Sequence, residues 1–564
     1  MKAAPIKRIE LSMDELASIL QRAQTSSLDE KDCAKIKAVF ESYLYLTDLL
    51  ENKATTIDRL RKLLFGPSSE KSRDVIAQTQ PTPPSPAPEG TEPAAAVGPE
   101  TEATASKPPG HGRNGADAYE GAEKIPVPHE SLKPGNRCPE CKKGKVYEMK
   151  VPGVLVRIVG QAPVQARVYE LQKLRCNLCG EVFTAQVPEG IGTDKYDATA
   201  ASMIALLKYG SGLPFNRLEG LQGSLGLPLP ASTQWDIVKV MAKVIKPVYD
   251  ELIRQAAQGE VVYNDDTTMK ILELMGKRAK AKALAEAEDA PERAKDASKR
   301  TGIFTSGIVS TKAGRTIALF FTGRKHAGEN LAKVLAHRAA ALGPPIQMCD
   351  ALTRNVPGEL KTILGNCLAH GRRQFVDVAA RFPEECRHLL ETLRDVYKND
   401  EVAKERNLSP EERLQFHQAE SGPLMDDLKV WLIRQFEDRL VEPNSPLGEA
   451  ISYMLNHWVK LTLFLRTPGA PLDNNLCERV LKLAILHRKN AMFYKTENGA
   501  HVGDLFMSLI HTCRLGGGDP FNYLTALQRH PVELSADPAK WMPWNYGEMF
   551  TPAGTTTPPG PTPG

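Results

Sequence analysis

The sequence predicts a multidomain α/β protein organised around a mixed β-sheet. Three observations predict it. The chain has 564 residues, and a single hydrophobic core stops growing at roughly 250–300 residues. Between residues 259 and 350 the apolar runs follow the order strand, strand, strand, helix, strand, a βββαβ pattern. Two Cys-x-x-Cys pairs, Cys138/Cys141 and Cys176/Cys179, mark a separate small module upstream.

Composition narrows the class. The chain is 41% hydrophobic and 25% charged, as in an ordinary globular protein. It contains no apolar run of eighteen residues, so no membrane-spanning helix is expected. The start, Met1-Lys-Ala-Ala-Pro-Ile-Lys-Arg8, lacks the apolar core of a signal peptide, and a cytosolic location is expected. A net charge of +4 neither demands nor excludes nucleic acid, so any basic footprint must be local.

Residues 1–74 read as helix. Ile36, Tyr43, Leu50, Ile57 and Leu64 share one heptad position, and Val39, Leu46, Lys53 and Leu60 follow three residues later. That spacing predicts an N-terminal coiled-coil seam, with an amphipathic helix packed on its own domain as the alternative. Residues 75–117 are rich in Pro, Ala, Glu and Thr and read as a disordered linker. Residues 118–190 read as short strands around the cysteine pairs. Four thiolates on two tight turns suit a structural Zn²⁺ in a ribbon-like module, so Cys138, Cys141, Cys176 and Cys179 are the expected zinc ligands.

Residues 191–258 return to helix. A short helix at Leu218–Leu225 and a second beginning after Ser232, its expected N-cap, form a candidate helix-turn-helix or a plain helical hairpin. The strands expected next are 259–265, 301–310 and 315–322, then a helix near 328–341 and a strand at 345–350. The basic run 277–300 reads as an exposed insertion. Residues 367–466 are mostly helical and 474–514 are helical with a break near Arg488–Asn490. A C-terminal segment covers 515–550, and the tail from Thr551 is rich in Pro, Thr and Gly.

Three acids carry the chemistry. Asp265 and Asp350 end strands that would be neighbours in the sheet, and Glu478 opens a later helix. Carboxylate oxygens are the hard ligands preferred by Mg²⁺ and Mn²⁺. Two such ions on shared carboxylates support in-line phosphoryl displacement. Asp266 neighbours Asp265, and alternation along a strand allows only one of the two to face the metals. His370 with Arg372 and Arg373 suits phosphate contact, though His370 could equally be structural. Arg479, Lys482, His487, Arg488 and Lys489 place positive charge near Glu478. Cys367 and Cys477 lack a Cys-x-x-Cys partner and read as buried small residues.

These pieces resemble, in order, the transposases of insertion-sequence-66-type bacterial elements. The matching blocks are Leu64-Phe-Gly-Pro-Ser-Ser-Glu-Lys71, Gly110-His-Gly-Arg113, the two cysteine pairs, Asn264-Asp-Asp-Thr-Thr268, Cys349-Asp350, Cys367-Leu-Ala-His-Gly-Arg-Arg-Gln-Phe375, Asp473-Asn-Asn-Leu-Cys-Glu-Arg479 with Arg488-Lys-Asn490, and Trp541-Met-Pro-Trp-Asn545. Thr268 and Leu368 depart from the usual Pro and Trp, and Ala-Leu-Thr follows Asp350 in place of the common Gly-Tyr.

The resemblance implies a ribonuclease-H-like catalytic domain over 259–514, with a helical insertion near 377–466. It implies an Asp265–Asp350–Glu478 triad holding two Mg²⁺ or Mn²⁺ ions, and cleavage and transfer of DNA strands. DNA contacts would come from Arg372, Arg373, Lys482, Arg488, Lys489 and the 191–258 helices. The coiled coil would join protomers, so a homo-oligomer, expected to be a dimer, is predicted, and the resemblance further implies small accessory proteins encoded by the element. A nuclease that cuts without joining and a DNA-binding regulator with a degenerate core are the rival functions.

Overall fold

The computed structural model describes residues 131–137, 139, 142–147, 161–175, 182–189, 194–276 and 302–550. The expected coiled coil, linker, zinc-ligating cysteines, basic run 277–300 and C-terminal tail lie outside the described residues. The chain divides into two compact units, and the smaller comprises residues 83–170 and 222–227. Within that smaller unit, Arg137 and Lys145 form an antiparallel bridge.

In the larger unit, β1 (Lys173–Arg175) pairs antiparallel with β2 (Val182–Thr184), and the two flank Cys176 and Cys179 in sequence. Three helices follow: α1 (Ala198–Ala205), α2 (Phe215–Ser224) and α3 (Ala231–Ala256). Next come β3 (Val261–Thr268), β4 (Phe304–Lys312), β5 (Arg315–Gly323), α4 (Ala327–Leu335), β6 (Ile346–Cys349) and β7 (Ile363–Asn366). Helices α5 (Leu368–Val378), α6 (Pro383–Glu405), α7 (Pro410–Glu420), α8 (Gly422–Glu437) and α9 (Pro446–Leu461) come after the sheet. The chain continues through α10 (Asn475–Ala491), α11 (Glu497–Leu515), α12 (Pro520–Arg529) and α13 (Pro531–Ala536).

The sheet has five strands in the order β5-β4-β3-β6-β7. β3, β4 and β5 are antiparallel neighbours, whereas β6 and β7 run parallel to β3. This mixed sheet with helices is consistent with a ribonuclease-H-like core. β4 and β5 form a hairpin across Ala313 and Gly314, whose φ angles of 48° and 77° are both positive. Such a two-residue turn matches the twist of the strands it joins.

Edge strand β5 is finished by a helix. Asp504, Ser508 and Thr512 recur every four residues on α11 and accept the backbone N–H groups of Thr322, Phe320 and Ala318 at 2.7, 3.0 and 3.1 Å. Four helical residues rise about 6 Å, close to the advance of two strand residues. The helix thereby supplies acceptors that a further strand would otherwise provide, and the exposed-edge hazard is removed. Amphipathic spacing buries Val238, Met241, Ile245, Val248 and Leu252 of α3, which packs against α11. The expected Ser232 cap is corrected: α3 begins at Ala231 after Pro230, with no side-chain cap.

Helices α6, α8 and α9 share a core of Leu389, Leu393, Met425, Leu432, Ile451 and Trp458 with Phe375 of α5. Each such large apolar side chain contributes about 1.5–3 kcal/mol when fully buried. That core is continuous with Ile346 and Leu368, so the helical layer is joined to the sheet and to the first turn of α5. Two expectations change. The helix expected at 328–341 ends at Leu335, and the sheet has a further strand, β7, that the sequence pattern does not predict.

Candidate active site

The β3–β6 ladder pairs Val261 with Ile346 and Tyr263 with Met348. The same register puts Asp265 level with Asp350, one residue beyond the end of β6. Strand alternation separates Asp265 from Asp266. Asp266 takes hydrogen bonds from Ser306 Oγ at 2.7 Å and Ala327 N at 3.1 Å, and lies 2.9 Å from His326 Nδ1. It therefore fastens the N-terminus of α4 to the sheet, where a carboxylate is favoured by the helix dipole. Asp265 belongs to the opposite face.

A single glycine sets the approach of α10 to that face. Gly307 on β4 stands opposite Asp265. A Cβ there would lie 2.9 Å from Leu481 and 3.4 Å from Cys477 Sγ. Without one, α10 seats directly on β3 and β4 and carries Glu478 in its first turn. Asn474, just before α10, donates from Nδ2 to the Asn264 carbonyl at 3.2 Å and from its backbone N–H to Cys367 Sγ at 3.3 Å. The residues preceding Asp265, His370 and Glu478 are thus stapled together. Gln347 Nε2 donates to Asn264 Oδ1 at 2.8 Å, and Asn264 Nδ2 donates to the Asn355 carbonyl at 2.8 Å. Buried amides of this kind fix a unique arrangement when satisfied.

His370 Nδ1 lies 2.9 Å from Asp350 Oδ1 and 3.8 Å from Glu478 Oε1. The Asp350, His370 and Glu478 side chains are 15, 22 and 29% exposed, so the cluster opens to solvent and can meet a substrate. Burial, and after it the nearby Asp350, pushes the Asp265 carboxyl up to about 7. Burial pulls His370 down, but its contacts with Asp350 and Cys367 outweigh this and hold the ring up at about 10. Asp350 Oδ1 and His370 Nδ1 are both buried and make no well-directed hydrogen bond despite their closeness. Asp350 Oδ1, buried beside the Asp265 carboxyl without a well-directed donor, fits a divalent cation. Ligand atoms of Asp350, Cys367 and His370 also lie within 4.8 Å of one another, a mixed O, S and N set. Cys367 is fully buried, as is Cys477, in keeping with their expected role as small core residues.

The model of the Transposase IS66 family matches residues 195–502, more than half of the chain. The chain belongs to the IS66 transposase family. The protein y4jD of Sinorhizobium fredii, described as uncharacterized, is 28% identical over 426 residues, covering 74% of this chain and 79% of its own. The protein y4hP of the same organism, also uncharacterized, is 26% identical over 445 residues, covering 74% of each. The match to the IS66 transposases begins three residues before α1, so α1–α3 fall inside the family domain. The family implies DNA as the partner, a divalent metal, and phosphoryl transfer as the reaction class.

The cations expected around the IS66 acids separate into different environments. Lys482 and Lys489 are exposed on α10. Arg372 and Arg373 line a cleft between α5 and α6. Arg488 turns inward: its guanidinium donates to Thr267 Oγ1 at 3.0 Å, to Thr268 Oγ1 at 2.6 Å and to the Thr268 carbonyl, tying α10 to the end of the Asp265 strand. His487 is not a surface charge. It is buried between the Tyr209 and Tyr494 rings, and burial with nearby Lys208 pushes it down to about 3, so it is neutral. Among the described residues, the Asn264–Gln347–Asn474 scaffold was missed by sequence reasoning. The polar residues flanking each acid were its visible trace.

Proposed function

We propose that this chain cuts DNA strands at the ends of a bacterial insertion element and joins them to a target. Asp265, Asp350 and Glu478 are the acids of that reaction. The convergence of Asp350, His370 and Glu478 in one solvent-open cluster carries the reading. These carboxylates would hold Mg²⁺ or Mn²⁺, two ions per site. When bound, the metal supplies charge neutralisation at the phosphoryl group and activation of the attacking oxygen.

The chain's own residues do the rest. Asp265 within β3 and Asp350 just beyond the end of β6 present oxygens at the same level of adjacent strands, and α10 brings Glu478 to them over Gly307. His370 orients the Asp350 carboxylate. Arg488 holds the end of β3 against α10, so that Asp265 and Glu478 keep their spacing. Arg372, Arg373, Lys482 and Lys489 contact DNA phosphates, with Arg488 adding positive charge behind them. Lys239, Lys243 and Lys246 form an exposed basic stripe on α3, which supports a DNA-binding role for the 191–258 helices. A zinc module on Cys138, Cys141, Cys176 and Cys179, a coiled-coil dimer and accessory proteins of the element complete the assembly in this reading.

The test is incubation of purified protein with labelled DNA bearing its element's ends and Mg²⁺, beside Glu478→Gln. Joined products from the wild type alone support the proposal. Nicks without joining favour a nuclease, and end binding without cleavage favours a regulator.

A further inference from the structure

The Arg372–Arg373 pair shares its cleft with cations that the family motifs do not contain. The cleft, of about 630 Å³, is walled by α5 and α6. On α6, Arg394, Lys398 and Lys404 recur at spacings of four and six residues and line the same opening. Asn475, the first residue of α10, borders it three positions before Glu478, and Ala369 borders it beside His370. The cleft therefore adjoins the acid cluster.

Its charge balance favours an anion. Five cations line it against two acids, Asp400 and Glu401. Asp400 already serves Arg413 at 2.5 Å, Lys404 at 2.6 Å and His417 at 3.2 Å. Asp395, on the same helix, is shared between Arg394 at 3.0 Å and Lys398 at 3.1 Å. Each of these neighbouring carboxylates is outnumbered by the cations it meets. The volume is that of a small-ligand site of about 300–1,000 Å³, so it admits a length of sugar-phosphate but not a duplex.

We propose that the α5–α6 cleft binds the DNA backbone beside the strand being cut, with Arg394 and Lys398 of the helical insertion as added phosphate contacts. This rests on the DNA-processing reading above. A free nucleotide offers the same phosphate chemistry, and the test separates the two. Lys404 is left unaltered because it neutralises the buried Asp400.

The experiment measures binding of a labelled duplex of arbitrary sequence to the full chain, without divalent metal, across a salt series. It compares wild type, the double variant Arg394→Gln/Lys398→Gln and a control, Lys429→Gln, on the exposed face of α8, with thermal melts confirming folding. Each lost phosphate contact makes the slope of log K against log salt shallower by about 0.9. The double variant should therefore show a slope about 1–2 shallower and several-fold weaker binding near 150 mM salt, with the control like wild type. A folded double variant with the wild-type slope overturns the proposal. So does uptake of labelled ATP that the double variant loses while its DNA slope stays unchanged, which assigns the cleft to free nucleotides. Because the assay needs no cleavage, it reads the cleft whether or not strand transfer is observed.

Discussion

His370 Nδ1 stands 2.9 Å from Asp350 Oδ1, close enough for the ring to set the direction of that carboxylate. Residues that orient a metal ligand typically contribute about 10–100-fold in metal affinity. His370→Gln should raise the Mg²⁺ concentration needed for half-maximal cleavage by about that factor, with activity recovering at high metal. A metal titration of cleavage checks this. A variant with wild-type metal demand and lower maximal rate would place His370 elsewhere in the reaction.

Gly307 leaves room for α10, and a methyl there meets Leu481 at 2.9 Å. Overpacking of this kind costs about 1–3 kcal/mol. Gly307→Ala should lower stability by that order and reduce cleavage further, because the displaced helix carries Glu478. Adding Leu481→Ala should return part of both losses. A double-mutant cycle on urea unfolding and cleavage rate measures the coupling.

Asp504 accepts two hydrogen bonds from Thr322, yet burial pushes its carboxyl up to about 7. Its folded pKa therefore exceeds that of the unfolded chain. Its contribution is fully present below the unfolded carboxylate range and is lost as pH rises through about 7. Against Asp504→Asn, the wild type should lose about 2.5 kcal/mol more stability between pH 5 and pH 8. Urea unfolding at the two pH values reads the difference, and parallel losses would show that Asp504 ionises freely.

Asp400 has the opposite sign. Burial opposes its charge, but His417, Arg413 and Lys404 hold its carboxyl well below the usual range. Its stabilisation is present above the unfolded carboxylate pKa and disappears as pH falls through the folded one. Asp400→Asn removes the buried carboxylate that the part-buried Arg413 guanidinium and the buried His417 ring both meet and should cost about 3 kcal/mol, seen as a lower urea midpoint at pH 7 that converges on wild type in acid.

The sequence exposed what depends on local pattern. Alternating apolar runs outlined β3 to β6 because those strands are long or sit beside clear turns. Ile363-Leu-Gly-Asn366 escaped notice because four residues with one glycine carry little periodic signal. Asp350 and Glu478 could be picked out because one follows the end of a strand and the other opens a helix. Asp265, expected to end its strand, lies inside β3, which runs on to Thr268 because the polar Asp266–Thr268 stretch still pairs with β4. The scaffold of the three acids could not be picked out: Asn264 meets Gln347 and Asn474 across 83 and 210 residues. His487 misled for a related reason, since reading it as a charge presumes exposure that only packing decides.

The account turns on Asp265, Asp350 and Glu478 surrounding one metal site. Replacing Mg²⁺ with Fe²⁺ and generating hydroxyl radicals cuts the polypeptide beside bound metal, and the cut positions can be read by mass spectrometry. Cuts near residues 265, 350 and 478 together, suppressed by excess Mg²⁺, are the predicted result. Cuts confined to the 350–370 region would place the metal on Asp350, Cys367 and His370 instead, and would contradict the three-acid site.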